Sequence, residues 1–225
     1  MQNKGVELAL NMVVADKTDF DFNLGVNVAY NKNEIVRLDN ATDDVLESFQ
    51  GYETGTISGD VGQTIQILKV GESIETFRTY KHIRDANGQP LVDTEDHNGD
   101  GLIDQLDIYE DVNSDGLINE NDLVTGPSAL PDVILGMSAS TRWKKWDAGL
   151  TIRANTGNYV YNNNASATGY FDRLTDRVTN NVHRSAYDIN IKRRQLKSDY
   201  YLEDASFVRF DNLTLGYTLG GEGKF

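Results

Sequence analysis

Two acidic stretches carry the residues whose types and spacing could do chemistry. The first runs from Asp96 to Asp107, and the second from Asp111 to Asp122. Oxygen-bearing side chains stand at positions 1, 3 and 5 of each: Asp96, Asn98 and Asp100, then Asp111, Asn113 and Asp115. Gly101 and Gly116 follow at position 6, and Leu-Ile at 7 and 8. Asp104 and Asn119 take position 9, and Asp107 and Asp122 take position 12. A hard divalent cation needs several oxygens converging from one short segment, and a glycine at the sixth position permits the sharp turn. The spacing therefore predicts tandem structural calcium loops, with the Leu102 and Leu117 carbonyls as the seventh-position ligands. Asp107 and Asp122 replace the bidentate Glu of an EF-hand. The shorter carboxylate suits loops of the dockerin type and lowers the expected affinity. The competing reading is an acidic surface that binds nothing. Eleven carboxylates and no Lys or Arg lie between residues 93 and 122. Without cations such a segment repels itself and is expected to stay disordered.

The whole chain is acidic, with a formal net charge of −14 over 225 residues. Phosphate backbones would be repelled, which excludes nucleic acid as a partner. The absence of cysteine removes disulfides, thiolate metal sites and thiol nucleophiles. No apolar run is long enough for a membrane helix. His82, His97 and His183 lack metal-ligand spacing, and neither a Gly-x-Ser-x-Gly elbow nor a phosphate loop is present. A glycosidase needs two placed carboxylates, but calcium-loop spacing already accounts for the cluster. No enzyme is expected.

The elements that must position these loops read as strands. Phe20, Phe22, Leu24, Val26, Val28 and Tyr30 alternate with Asp21, Asn23, Gly25, Asn27 and Ala29. The same period of two runs through residues 5–14, 133–143, 146–156 and 207–219, each apolar on one side only. Segments of about ten residues match the length needed to cross a bilayer. The polar sides carry Asn, Thr, Gly, Asp and Arg, which suits a wet barrel interior. Phe20, Tyr30, Trp143, Trp146 and Tyr217 sit near strand ends, as in the aromatic girdles of membrane barrels. A soluble sandwich also alternates and is the competing architecture.

Loop lengths favour the barrel. Residues 15–19, Lys144-Lys145 and Gly220–Gly223 would make short turns, whereas residues 31–132 and 157–206 make long connections. Short turns on one side and long loops on the other are the rule in outer-membrane barrels. Ile65–Val70 and Ile74–Ile83 read as added strands within the first connection, Asn87-Gly88 as a turn, and Gly126-Pro127 with Pro131 as the return. The second connection is rich in Asn, Tyr and Arg, including Arg173, Arg177, Arg184, Arg193 and Arg194.

Together these segments resemble the C-terminal part of SusC/RagA-type TonB-linked outer-membrane proteins. The matching stretches are Asn3–Leu8, Val70–Phe77 with Tyr80 and Lys81, Asp111–Ile118, Gly126–Gly136 and, most specifically, Tyr201–Leu219. The resemblance implies an all-β fold: about five strands of a 22-stranded antiparallel transmembrane barrel. It implies import of glycans or peptides, a SusD-like surface lipoprotein as partner, and TonB coupling through an N-terminal part outside this sequence. The expected location is the outer membrane, with lipid against the apolar faces. Five strands cannot close a barrel, so the chain is expected to be a fragment. The alternative is a secreted, calcium-stabilised β protein acting in adhesion or assembly.

Overall fold

In a computed structural model of the chain, residues 1–38, 51–175 and 180–219 are described. Arg177 and the expected Gly220–Gly223 turn lie outside them. The chain divides into two compact units.

One unit, Gln2–Asn33, Leu130–Asn158 and Ala205–Phe225, holds the five alternating segments. They form one sheet in the order β1 (Gln2–Lys17), β2 (Phe20–Glu34), β7 (Val133–Trp143), β8 (Trp146–Thr156), β11 (Phe207–Tyr217). Pairing is antiparallel from β2 to β11. Eleven-residue strands such as β7 and β8 extend about 36 Å at 3.3 Å per residue. Tilted as barrel strands are, they cover an apolar band of about 25 Å. Two-residue turns at Thr18-Asp19 and Lys144-Lys145 join β1 to β2 and β7 to β8. The turns are tied by the Lys144 N–H donating to the Asp19 carbonyl at 2.7 Å. Both long connections leave from the other ends of the strands.

The apolar faces line up across the sheet. Val26 pairs with Met137 and that with Ile152, and Leu24 with Ala139 and that with Leu150. At the hairpin end Phe20, Trp143, Trp146 and Tyr217 stand in one row across four strands. This is an aromatic girdle. The apolar side is uncovered: Leu8 is 64% exposed, Leu213 75% and Leu215 73%. Nothing described packs over it.

β11 contains a feature that strict alternation does not predict. Val208 and Phe210 are even-numbered, yet Leu213, Leu215 and Tyr217 are odd. A bulge between Phe210 and Asn212 absorbs the change of parity. Val208 and Phe210 face Ala154 and Ile152, while Leu213, Leu215 and Tyr217 face Leu150, Ala148 and Trp146. The extra residue, Asp211, thus keeps Val208, Phe210, Leu213, Leu215 and Tyr217 on one face.

The second unit comprises Glu34–Ala129 and Tyr159–Asp204, with Met1. The two long connections therefore fold together and do not form two separate loops. A four-stranded antiparallel sheet runs β3 (Tyr52–Thr56), β4 (Thr64–Leu68), β5 (Thr76–Tyr80), β6 (Leu123–Ser128). The expected strands at 65–70 and 74–83 correspond to β4 and β5, though shorter. Gly126-Pro127 is not a return loop; it lies inside β6. Pro127 is tolerated because β6 is an edge strand, where a missing N–H costs no central pairing. The Asn87-Gly88 turn is present, with Gly88 at φ +80° and its N–H donating to the Asp85 carbonyl at 3.0 Å. β9 (Tyr159–Tyr161) pairs with β10 (Leu202–Asp204). Two short helices, α1 (Asn163–Thr168) and α2 (Ser185–Ile189), complete the unit. Its core joins both connections: Ile57, Ile65 and Phe77 pack with Tyr161, Ala165 and Tyr201.

The two faces of the large sheet should answer differently to charge. In the outer-membrane barrel that the sequence resemblance implies, Val26→Arg should cost roughly 2–4 kcal/mol of stability. Asn27→Arg should cost far less, because Asn27 lies opposite Gly136 on the polar side. Heat-modifiable gel migration of outer-membrane extracts checks this; equal assembly of the two variants would contradict the assignment of the faces.

Candidate functional site

The two acid loops repeat one hydrogen-bond scheme, position by position. The first-position carboxylate accepts the glycine N–H at position 6: Asp96 from Gly101 at 2.9 Å, Asp111 from Gly116 at 2.8 Å. Asn98 and Asn113 accept from the fifth-position N–H at 2.9 and 3.0 Å. Asp100 and Asp115 accept from Leu102 and Leu117 at 2.8 and 2.9 Å. Asp104 and Asn119 cap single 3₁₀ turns, Gln105–Asp107 and Glu120–Asp122, through capping boxes.

Position 12 closes each ring. Asp107 accepts from His97 at 2.7 Å, Asn98 at 3.1 Å and Asp104 at 2.9 Å. Asp122 accepts from Val112 at 3.0 Å and Asn119 at 2.8 Å. Both carboxylates are fully buried. Burial raises the Asp107 carboxyl, but its three backbone donors outweigh that and hold it below the usual carboxylate range. The left-handed turn expected at position 6 is present, with Gly101 at φ +87° and Gly116 at φ +80°.

The fold therefore brings each sequence-predicted set into one loop, organised through backbone N–H groups. Among the described residues, no group of three or more His, Cys, Asp or Glu side chains is gathered to hold a metal ion. The donor chemistry suits a hard cation, since every side-chain candidate is a carboxylate or amide oxygen. Each carboxylate oxygen that accepts one N–H keeps a further lone pair.

The acidic region is anchored by residues that sequence reasoning passed over. Asp93 is buried and accepts from the Lys192 and Arg193 N–H groups at 2.8 and 2.7 Å, and from the Gln195 amide at 3.2 Å. Tyr109 donates to Gln195 at 2.9 Å. The buried His82 ring places Nε2 2.9 Å from the Leu91 carbonyl and Nδ1 3.0 Å from the Ser198 hydroxyl. A carbonyl only accepts, so Nε2 carries the proton and neutral Nδ1 accepts from Ser198. These bonds staple the first connection to the second. Apart from the local His82–Leu91 contact, their partners lie about a hundred residues apart, and no local pattern announces them.

The polar face of the large sheet is layered. Asp21, Arg142 and Asp147 occupy one row, with an Asp21–Arg142 ion pair of 2.7 Å. Small residues such as Gly25, Ser138 and Gly149 follow, leaving a shallow trough of about 440 Å³. The next row runs Asn27, Gly136, Arg153, Arg209.

No family model matches the chain. Among curated proteins, it is 30% identical, over 97% of its length, to the TonB-dependent receptor SusC of Bacteroides thetaiotaomicron. The chain is homologous to SusC-type TonB-dependent receptors. Two TonB-dependent receptors of Formosa agariphila are 25% and 28% identical over 97% of it. The chain spans about a fifth of the length of these curated relatives, 20% of SusC itself. The solved RagAB peptide transporter matches 96% of the chain and 22% of its own, with a TM-score of 0.62 at 19% identity. A closed-closed state of the RagAB peptide importer matches with a TM-score of 0.61 at 17% identity. The five-stranded antiparallel sheet thus shares its fold with part of the RagAB transporter.

Two outcomes follow from the loop unit. Asp122→Ala would strip the Val112 and Asn119 N–H groups of their buried acceptor, at about 1–3 kcal/mol locally. Hydrogen exchange across residues 111–122 in a purified receptor should accelerate accordingly, whereas Asp115→Ala, on the exposed side, should change it little. Burial lowers the His82 pKa, outweighing the Leu91 carbonyl and Asp199. The unfolded chain therefore takes up this proton more readily. Stability from this group is complete above about pH 6.5 and falls as pH drops below that value, levelling off below the folded pKa. Exchange of the Ile83 and Leu91 amides should report that step, and His82→Gln should abolish it.

Proposed function

We propose that this chain supplies part of the barrel wall and the loop unit of an outer-membrane, TonB-dependent nutrient importer of SusC type. Its solutes are glycans or peptides, its partner is a SusD-like surface lipoprotein, and coupling to TonB resides elsewhere in the longer receptor. The observation that carries this reading is the exposed apolar face, ringed by a Phe20–Trp143–Trp146–Tyr217 girdle, in a chain homologous to SusC along 97% of its length. A secreted adhesion protein would need a second apolar layer over that face, and none is described. The polar face lines the solute path, and the loop unit faces the exterior. The relatives are named as receptors, which supports a transport role without catalysis.

The same reading makes residues 96–107 and 111–122 calcium loops. Asp96, Asn98, Asp100, Asp104 and Asp107 with the Leu102 carbonyl would hold one ion. Asp111, Asn113, Asp115, Asn119 and Asp122 with the Leu117 carbonyl would hold the other. The ion supplies charge neutralisation to an eleven-carboxylate segment and stiffens it for presentation to a lid or solute.

Deleting the receptor gene, or inactivating TonB, should abolish uptake of one class of labelled oligosaccharide or peptide. Unchanged uptake of all such solutes, or recovery of the protein in the soluble fraction, would count against import. Calcium added to chelator-stripped receptor should bind with a Kd of about 10⁻⁴–10⁻³ M, the range of extracellular modules. The Asp96→Asn/Asp111→Asn variant should bind at least about tenfold more weakly. Absence of calorimetric heat at millimolar calcium would remove both sites.

A further inference from the structure

On the polar face of the large sheet, Arg153 and Arg209 stand directly opposite each other in register. Like charges so placed repel, and a regular strand would not favour them. The bulge in β11 inserts Asp211 beside them. A single carboxylate oxygen of Asp211 lies 3.4 Å from the Arg153 guanidinium and 3.6 Å from that of Arg209. Both distances exceed the 2.7–2.9 Å of a strong charge-assisted bond. One carboxylate is shared by two guanidiniums, each with five N–H donors in a fork. The cluster keeps a net positive charge in a chain of net charge −14. Its arginine side chains are 50% and 66% exposed. Beside Arg153 stands Gly136, where the Asn27 amide occupies the space a side chain would fill. The row therefore presents an amide and two guanidinium forks side by side. Bulges often re-aim side chains beside functional sites.

We propose that Arg153 and Arg209 form a subsite for a carboxylate group of the passing solute, with Asp211 as the built-in competitor that keeps the hold weak enough to release. This rests on the importer reading, which makes the polar face the solute path. Guanidinium forks match carboxylate geometry in two parallel bonds, and a ligand carboxylate would displace the long contacts to Asp211. The carboxylate could belong to a uronic-acid glycan or to an acidic peptide.

Full-length receptor purified in detergent would be titrated with four fluorescent probes: an oligogalacturonide, a malto-oligosaccharide, an oligoglutamate and an oligoglutamine. Within one class, glycan or peptide, the carboxylated probe should bind about tenfold more tightly than its neutral counterpart, and the preference should shrink as salt rises. Arg153→Gln/Arg209→Gln should reduce the preference below about twofold, with unchanged heat-modifiable migration showing an assembled barrel. Asp211→Asn should raise it, because the competing carboxylate is gone. A merely structural ion cluster predicts the opposite, since losing Asp211 would leave two repelling arginines and no gain in binding. If the double variant fails to assemble, Asp211→Asn alone decides: an increased preference supports the subsite, and an unchanged or reduced one overturns it. Equal binding of charged and neutral probes by the parent receptor, or no binding of either carboxylated probe, also overturns the subsite. The importer reading is judged separately, by the uptake of deletion strains.

Discussion

The requirement that the backbone of long strands pair its N–H and C=O groups governs the architecture of the large sheet. Strands satisfy it only by lying side by side, and one apolar face with one polar face then forces a period of two on the side chains. β2, β7, β8 and β11 meet both conditions in continuous antiparallel register. One slip of a single residue would turn Leu213 and Leu215 to the polar side. The Asp211 bulge is the place where the sequence would otherwise impose such a slip. Its carboxylate emerges on the polar face, beside the only cross-strand arginine pair that the described ladders contain. A device required by packing thereby also tunes the charge of the polar face.

The second unit obeys a different constraint. It has buried residues of its own and must satisfy polar groups inside a small core. Tyr161 donates to Ser166 at 2.7 Å and accepts the Lys197 N–H at 3.1 Å, and burial pushes its phenol up to about 12. Glu53 gathers Thr64, Arg78 and the nearly buried Lys197. Its carboxyl is lowered by the Thr64 hydrogen bond first, against burial, with both cations assisting. Such contacts fix the acid loops to a scaffold built from both long connections. The loops themselves spend their carboxylates on backbone donors, which organises the ring at positions 1 and 12.

The sequence by itself determined the strands of the wall and the two acid loops. Both rest on local periodicity: side chains alternate every second residue, and loop ligands recur at fixed offsets around a glycine. Segments near 5–14, 20–30, 133–143, 146–156 and 207–219 needed no long-range information to be seen, and the parity change between Phe210 and Leu213 was equally present, though strict alternation hides it. The tertiary structure alone decided how the connections combine. Asp93 meets Lys192 and Arg193, His82 meets Ser198, and β3 and β6 complete a sheet around β4 and β5. These partners are brought together by burial and hydrogen bonding across great chain separations, and neither leaves a periodic trace. The pairing of Arg153 with Arg209 is likewise a matter of register, set by two strands more than fifty residues apart.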